Sequence, residues 1–502
     1  MTALALALYA PLLAAGLVLV WRRPLLALYA FVVGLALHNV VVALLYAAGV
    51  RGAALTAIQA WKELLLATAL LAVVTRARGL PFRPAPVDLL ALAFAGVVVL
   101  FAAIPQGWLG GEAGGGAIAL SLRHALLPVA AYALGRGLAL SRDDLRRLAH
   151  AVLATAGAVA AFGIVEVYAV PLDWWRDSGI VGWYRDQLGF DYEGLSGLPE
   201  NFVFNTGDEQ RPLRRLLSTF LSPLGTAYML AVALLLVAAR PARWALALAP
   251  LLLAALLLTH TRGAFLALTG GLVVLALVRR DWRVGVAAPA ILALAVAFVA
   301  VFPAIGPETR FTPQELEVQR QIAEERGAAP HGGLDPNEPS IDSHLTNLRR
   351  GVETVLEQPW GYGLGNAGAT AARTEGEPIA GESNYTELAV ETGVLGLALF
   401  LAWNLALLWA LARAGRADAY AGWLAAALAT VLALGVQTDA YGVPWLAYCV
   451  WGLCGAAVVS SRAAIPAPNP RADAHAAGPE GAKGAVPSGR STRSHPGPAG
   501  GA

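Results

Sequence analysis

The sequence predicts an all-α fold: a polytopic transmembrane helical bundle of about 12 to 13 spans with a large extracytoplasmic loop. Three observations lead there. Of 502 residues, 57% are hydrophobic and only 14% charged, and the mean hydropathy is +0.59, far above soluble globular usage. Apolar runs of roughly 20 residues recur, the length at which a helix rising about 1.5 Å per residue crosses a hydrocarbon core about 30 Å thick. The basic residues gather in alternate connectors.

The crossings fall near residues 3–20, 25–49, 53–75, 87–104, 117–139, 148–170, 216–239, 244–259, 262–278, 285–303, 385–411, 419–436 and 442–460. The first run has no basic n-region and its charges, Arg22 and Arg23, follow it, which favours a retained span over a cleaved leader. If all thirteen simply alternate, the basic connectors at 21–23, 76–83, 142–147, 240–243, 279–283, 413–416 and the tail from Arg462 share one side. The positive-inside rule makes that side cytoplasmic. Residues 1–302 then hold ten crossings with a shorter outer loop at 171–215. Residues 303–384 form the large extracytoplasmic loop, 385–462 the last three crossings, and 463–502, rich in Pro, Gly, Ala and Ser, a disordered cytoplasmic tail. Cys449 and Cys454 lie within the last apolar run, so neither a disulfide framework nor a metal site is indicated.

The run from Trp244 to Val278 is too long for one crossing, since about 35 residues of helix reach roughly 50 Å. It must break at "LLLTHTRGAFLAL" (256–268), where His260 and Arg262 coincide with a glycine. Two short antiparallel helices meeting outside place Arg262 at a helix start. Positive charge opposes the topology rule at outer ends, and two more arginine sites share that side. "RPLRRLLSTFLSPLGTAYML" (211–230) carries Arg211, Arg214 and Arg215; "SHLTNLRRGVETVLEQPWGYGLGNAG" (343–368) carries His344, Arg349, Arg350 and a Gly-rich turn around Tyr362. Guanidinium forks match phosphate oxygens bidentately. The large loop holds thirteen Asp or Glu against six Arg, so a local pocket rather than a diffuse field would hold an anion. As a phosphate cradle the glycine turn is weak, because no strand precedes it. Contact with lipid headgroups for Arg214 and Arg215, and solvated helix faces for Arg349 and Arg350, are the plainer alternatives. In "GESNYTELAVETGVLGLALFL" (381–401), Asn384 and Glu387 have the spacing of a helix capping box. Glu387 and Glu391 share a face and could bind sugar hydroxyls or accept a proton.

In this order, "RRLLSTFLSPLGTAYML", "HTRGAFLAL", a long loop ending in "PWGYGLGNAG" and "SNYTELAVETGVLGLALF" resemble the O-antigen ligase and O-antigen polymerase superfamily of bacterial membrane glycosyltransferases. The resemblance covers roughly residues 210–410. It implies transfer of a glycan from an undecaprenyl-pyrophosphate donor to an acceptor hydroxyl, on the extracytoplasmic side of the cytoplasmic (inner) membrane. It implies no metal or cofactor and partners that are lipids and glycans, not nucleic acid. Family arginines match Arg215, Arg262 and one of Arg349 and Arg350, with His344 or a carboxylate, Glu387 among them, left to assist the acceptor. Arg211, Arg214, His260, Tyr362, Asn384 and Glu391 are the further substrate-binding candidates. Ligases of this family typically carry His-Asn where this chain has Ser383-Asn384. A serine hydroxyl is not basic near neutral pH, so the departure favours a polymerase or exopolysaccharide enzyme over a lipid A core ligase. Two rivals stay open: a transporter or flippase of an anionic substrate, for which Lys62 and Glu63 are the deep charges, and a peptidoglycan polymerase, for which Asp439 is a candidate.

Overall fold

The computed structural model describes residues 1–77, 82, 84–205, 212–326, 339–373, 379 and 383–463. Arg211 and the tail beyond residue 463 lie outside them. Among the described residues, nine helices are long and apolar enough to cross a membrane and four shorter apolar helices accompany them, thirteen in all. They are α1 (Thr2–Arg22), α2 (Leu25–Ala47), α3 (Gly52–Arg76), α4 (Pro86–Ala103), α5 (Gly115–Leu138), α6 (Arg142–Ala169), α7 (Pro223–Ala239), α8 (Arg243–Leu258), α9 (Arg262–Arg279), α10 (Trp282–Ile305), α11 (Asn384–Gly415), α12 (Ala419–Leu434) and α13 (Pro444–Val458). The chain is a multi-pass membrane protein.

Local sequence sets the helix boundaries. Ser141 and Asp144 cap α6 reciprocally, Ser222 and Pro223 open α7, and Asp281 and Asp418 cap α10 and α12. Each cap satisfies N–H groups that a helix start leaves without intrahelical partners. The cap of α11 is Ser383, whose side chain accepts from the Tyr385 N–H. The box expected at Asn384 is therefore not formed: the cap falls one residue earlier, and the Asn384 side chain bonds to Asp439 and Ala440 instead.

Helix α7 is buried along nearly its whole length and packs against α6, α8, α9 and α12. A helix apolar all round belongs in such a place. Helices α5 and α13 approach at glycines: a Cβ on Gly135 would lie 1.9 Å from the Gly452 carbonyl oxygen, and one on Gly455 would lie 2.3 Å from that of Tyr132. Small residues allow backbone approach where lipid gives no hydrophobic drive between helices.

The connectors sort by end. At one end Arg279 donates to the Gly415 carbonyl (3.0 Å), Arg142 meets Asp418 (3.8 Å) and Arg240 lies over the Tyr420 ring. At the other, the two long loops join: Arg176 of the first donates to Glu315 of the second at 2.5 and 2.9 Å, and Ser196 adds a bond of 2.7 Å. A short antiparallel pair, β1 (Val203–Phe204) and β2 (Leu213–Arg214), sits there, with Leu213 bridging to Glu308.

Candidate active site

The site builds from the break between α8 and α9. The chain turns at 259–261, and Leu216 N–H bonds to the Leu258 carbonyl (2.9 Å). This holds Arg215 so that its Nε donates to the Thr259 carbonyl (2.8 Å) and its Nη2 to Thr261 Oγ1 (3.1 Å). Arg262 is half-buried in the first turn of α9. Its neighbour Gly263 has no room for a side chain, since a Cβ would stand 2.3 Å from Gln437 Nε2. The start of α9 thus abuts the connector between α12 and α13. Thr438 bonds to Tyr228, which lies within electrostatic reach of both Arg215 and Asp439.

His260 adopts a left-handed conformation, φ 48°, and its ring is 3% exposed, 4.3 Å from the Phe204 ring and stacked on Phe302 at 4.4 Å. Burial, with the charges of Arg215 and Arg262, pushes its imidazole down to about 3. It is a buried, neutral wedge between two phenylalanine rings, within electrostatic reach of both arginines.

Asp439 organises the other side. It accepts from Asn384 Nδ2 (2.6 Å) and Gly442 N–H (2.9 Å), and lies 3.2 Å from His124 Nε2. Asn384, fully buried, also accepts from the Ala440 N–H (2.8 Å) and so ties α11 to that connector. Burial alone would raise the Asp439 carboxyl, but His124, the Asn384 amide and the Arg373 charge together hold it below the usual carboxylate range. A pocket beside it is lined by His124, Thr370, Glu387, Glu391 and Tyr441. Glu391 is buried and accepts from Ser121 Oγ, Gly365 N–H (2.8 Å) and Thr370 Oγ1 (3.3 Å). Glu387 is half-buried, close against Gly368.

The glycine turn does different work from a phosphate cradle. Helix α11 breaks at Gly393, φ 69°, which frees carbonyl groups for the turn. Tyr362 N–H bonds to Val390 O (2.6 Å), Gly363 N–H to Glu391 O (3.1 Å) and Val394 N–H to Pro359 O (2.8 Å). The N–H groups of Gly361, Tyr362, Gly363 and Gly365 are spent inside the protein, and the Tyr362 ring packs half-buried near Val355, Ala367 and Val390.

The other expected residues disperse. Arg214 is 2% exposed and forms a buried ion pair with Glu166 (2.5 Å), with Nη1 donating to the Val170 carbonyl. His344, Arg349 and Arg350 are exposed on the loop helix Pro339–Glu357, where Arg349 pairs with Glu353 one turn on (2.8 Å). That helix turns Gly351 against Thr386 of α11 instead. Lys62 and Glu63, although adjacent, join one cluster just after the interruption of α3 at Ala60. Lys62 donates to Gln59 O (2.8 Å) and lies 3.6 Å from Glu63, which pairs with Arg123 (2.6 Å).

Two groups near the pocket escape a sequence reading. His124 sits in an otherwise apolar run, where the pair Arg123-His124 is the only signal; its partner Asp439 is over three hundred residues away. Arg373, from the far part of the large loop, places its guanidinium 5.0 Å over the Phe190 ring and within electrostatic reach of Asp439. Chemically, the site joins cationic forks at a helix start to a carboxylate-imidazole pair beside a pocket.

Residues 247–401 match the family model described as O-antigen ligase. The match takes in Arg262, the large loop and the first half of α11, and supports the resemblance to the O-antigen ligase and polymerase superfamily; Arg215 lies outside it. No curated protein matches the chain.

Proposed function

We propose, from the O-antigen ligase match in this multi-pass membrane protein, that the chain transfers a glycan from a lipid-pyrophosphate donor, undecaprenyl-linked, to an acceptor hydroxyl. The observation that carries the reading is the convergence of Arg215 and Arg262 on the 259–262 turn, with Arg373 within electrostatic reach of Asp439. Arg215 is held by two hydrogen bonds before any ligand arrives, so little reorganisation accompanies binding. Preorganised donors aimed at a leaving group gain as negative charge develops on it. In this reading Arg215 and Arg262 clamp the pyrophosphate without a metal, and Arg373 takes the third place that sequence gave to Arg349 or Arg350.

The acceptor attacks opposite the pyrophosphate and inverts the anomeric centre. The basic connectors face the cytoplasm, as the positive-inside rule requires, and the pocket opens outside the inner membrane. Ser383 supports a polymerase or exopolysaccharide role over a lipid A core ligase, since its hydroxyl is committed to the Gly435 carbonyl (3.1 Å). The test is reconstitution in nanodiscs with a polyprenyl-pyrophosphate-linked glycan, following donor consumption and glycan transfer. Arg262→Ala should lower turnover by about 10²- to 10³-fold. Full transfer by that variant overturns the clamp, and a wild-type protein that consumes no donor where no gradient exists points to transport.

A further inference from the structure

Glycosyl transfer to a hydroxyl needs a proton acceptor, and Ser383, at the same corner of the fold, is buried and used as a helix cap. An imidazole meets that corner. His124 Nε2 stands 3.2 Å from Asp439 Oδ1, both side chains remain 23% exposed, and both line the pocket with Glu387 and Glu391. Asp439 is itself fixed by Asn384 and the Gly442 N–H. With that carboxylate accepting from Nε2–H, the imidazole is held as the tautomer whose Nδ1 carries the lone pair. Among the described residues, no hydrogen bond to Nδ1 is formed.

We propose that His124 is the general base for the acceptor hydroxyl and that Asp439, oriented by Asn384, is its positioning residue. The inference rests on the glycosyltransferase reading above. In the step, the acceptor oxygen forms a bond to the anomeric carbon as its proton passes to His124 Nδ1. The bond from that carbon to the pyrophosphate oxygen breaks, and its electron pair leaves with the pyrophosphate. The imidazolium, beside the Asp439 carboxylate, then releases the proton to solvent. The charged groups facing His124 are Asp439, Glu391 and Arg373, with Glu387 on the same pocket. His-carboxylate pairs of this kind act by orienting the ring and stabilising the cation.

The experiment compares wild type, His124→Gln, Asp439→Asn and Asp439→Glu in nanodiscs with saturating polyprenyl-pyrophosphate-linked glycan, from pH 5 to 8. A positioned base contributes about 10²- to 10⁴-fold. His124→Gln should lose at least about a hundredfold in kcat with donor KM unchanged, and its residual rate should lack the acid limb of the wild-type profile. Asp439→Asn should lower kcat with donor KM kept, and Asp439→Glu should restore part of it. A His124→Gln rate close to wild type, or one that keeps the wild-type acid limb, overturns the proposal. Where His124→Gln fails to fold, the wild-type profile decides: a rate flat from pH 5 to 8 overturns it. Failure of the underlying reading is distinguishable, because wild type would then consume no donor at any pH.

Discussion

Arg214 and Arg215 are neighbours in sequence and opposites in circumstance. Arg214 faces Glu166 in the interior, and removing one partner of such a pair costs about 3–5 kcal/mol. Arg215 instead has its fork on a turn at the site. Nothing in "RRLL" distinguishes them, since the partner of Arg214 lies 48 residues earlier on α6. His260 makes the same point from the other direction. The length of the run 244–278 located the turn, but the turn's histidine is wedged between two phenylalanines contributed by distant segments. Its ring titrates near 3 when folded, against about 6.5 unfolded. In that window the unfolded chain binds more protons, so stability falls as pH drops from about 6.5 toward 3 and is flat above. Melting followed in detergent should show this decline between pH 6 and 4, and His260→Leu should make it shallower. A variant that melts with the same acid slope as wild type would show that the loss arises elsewhere.

At the scale of elements, apolar length and capping chemistry made the thirteen helices readable, because both are local. The break in α11 is not local in that sense. Gly393 sits in ordinary membrane sequence, and its φ of 69° is stabilised by the segment at residues 359–361, where a Cβ on Gly361 would approach the Gly393 nitrogen to 2.5 Å. Gly393→Ala should therefore lower the melting temperature strongly: a forbidden backbone conformation costs about 1–3 kcal/mol, and its Cβ would lie 2.7 Å from the Trp360 backbone. Gly270→Ala in α9, where a Cβ meets nothing within 4 Å, should be neutral or slightly stabilising by helix propensity. Equal effects of the two substitutions would remove the break as a structural requirement.

For the molecule as a whole, composition was enough to give the class, and the sorting of basic connectors against long loops followed from counting. The site was less legible. It draws on α5, α9, α11, the α12–α13 connector and the large loop, and one sequence without contacts does not say which of its charges meet. Orientation is open to direct measurement. Cys449 and Cys454 are buried, so native thiols leave little background. A membrane-impermeant maleimide should label Gly107→Cys in intact cells and Arg283→Cys only after permeabilisation; both are exposed positions at opposite ends of the bundle. Labelling of both before permeabilisation would break the alternating topology.

The stitching of residues 359–365 into α11 also sets the unit of exchange for protein engineering. The large loop has the look of a replaceable cassette between α10 and α11. Its residues 359–363, however, supply N–H groups to the carbonyls of the interrupted helix at Val390 and Glu391, and accept one at the Pro359 carbonyl. A chimera that swaps loop specificity between relatives should cut upstream of Pro359 or carry the segment through Val394 with it. A junction placed at the apparent end of the loop, near Ser383, would separate two halves of one hydrogen-bonded element.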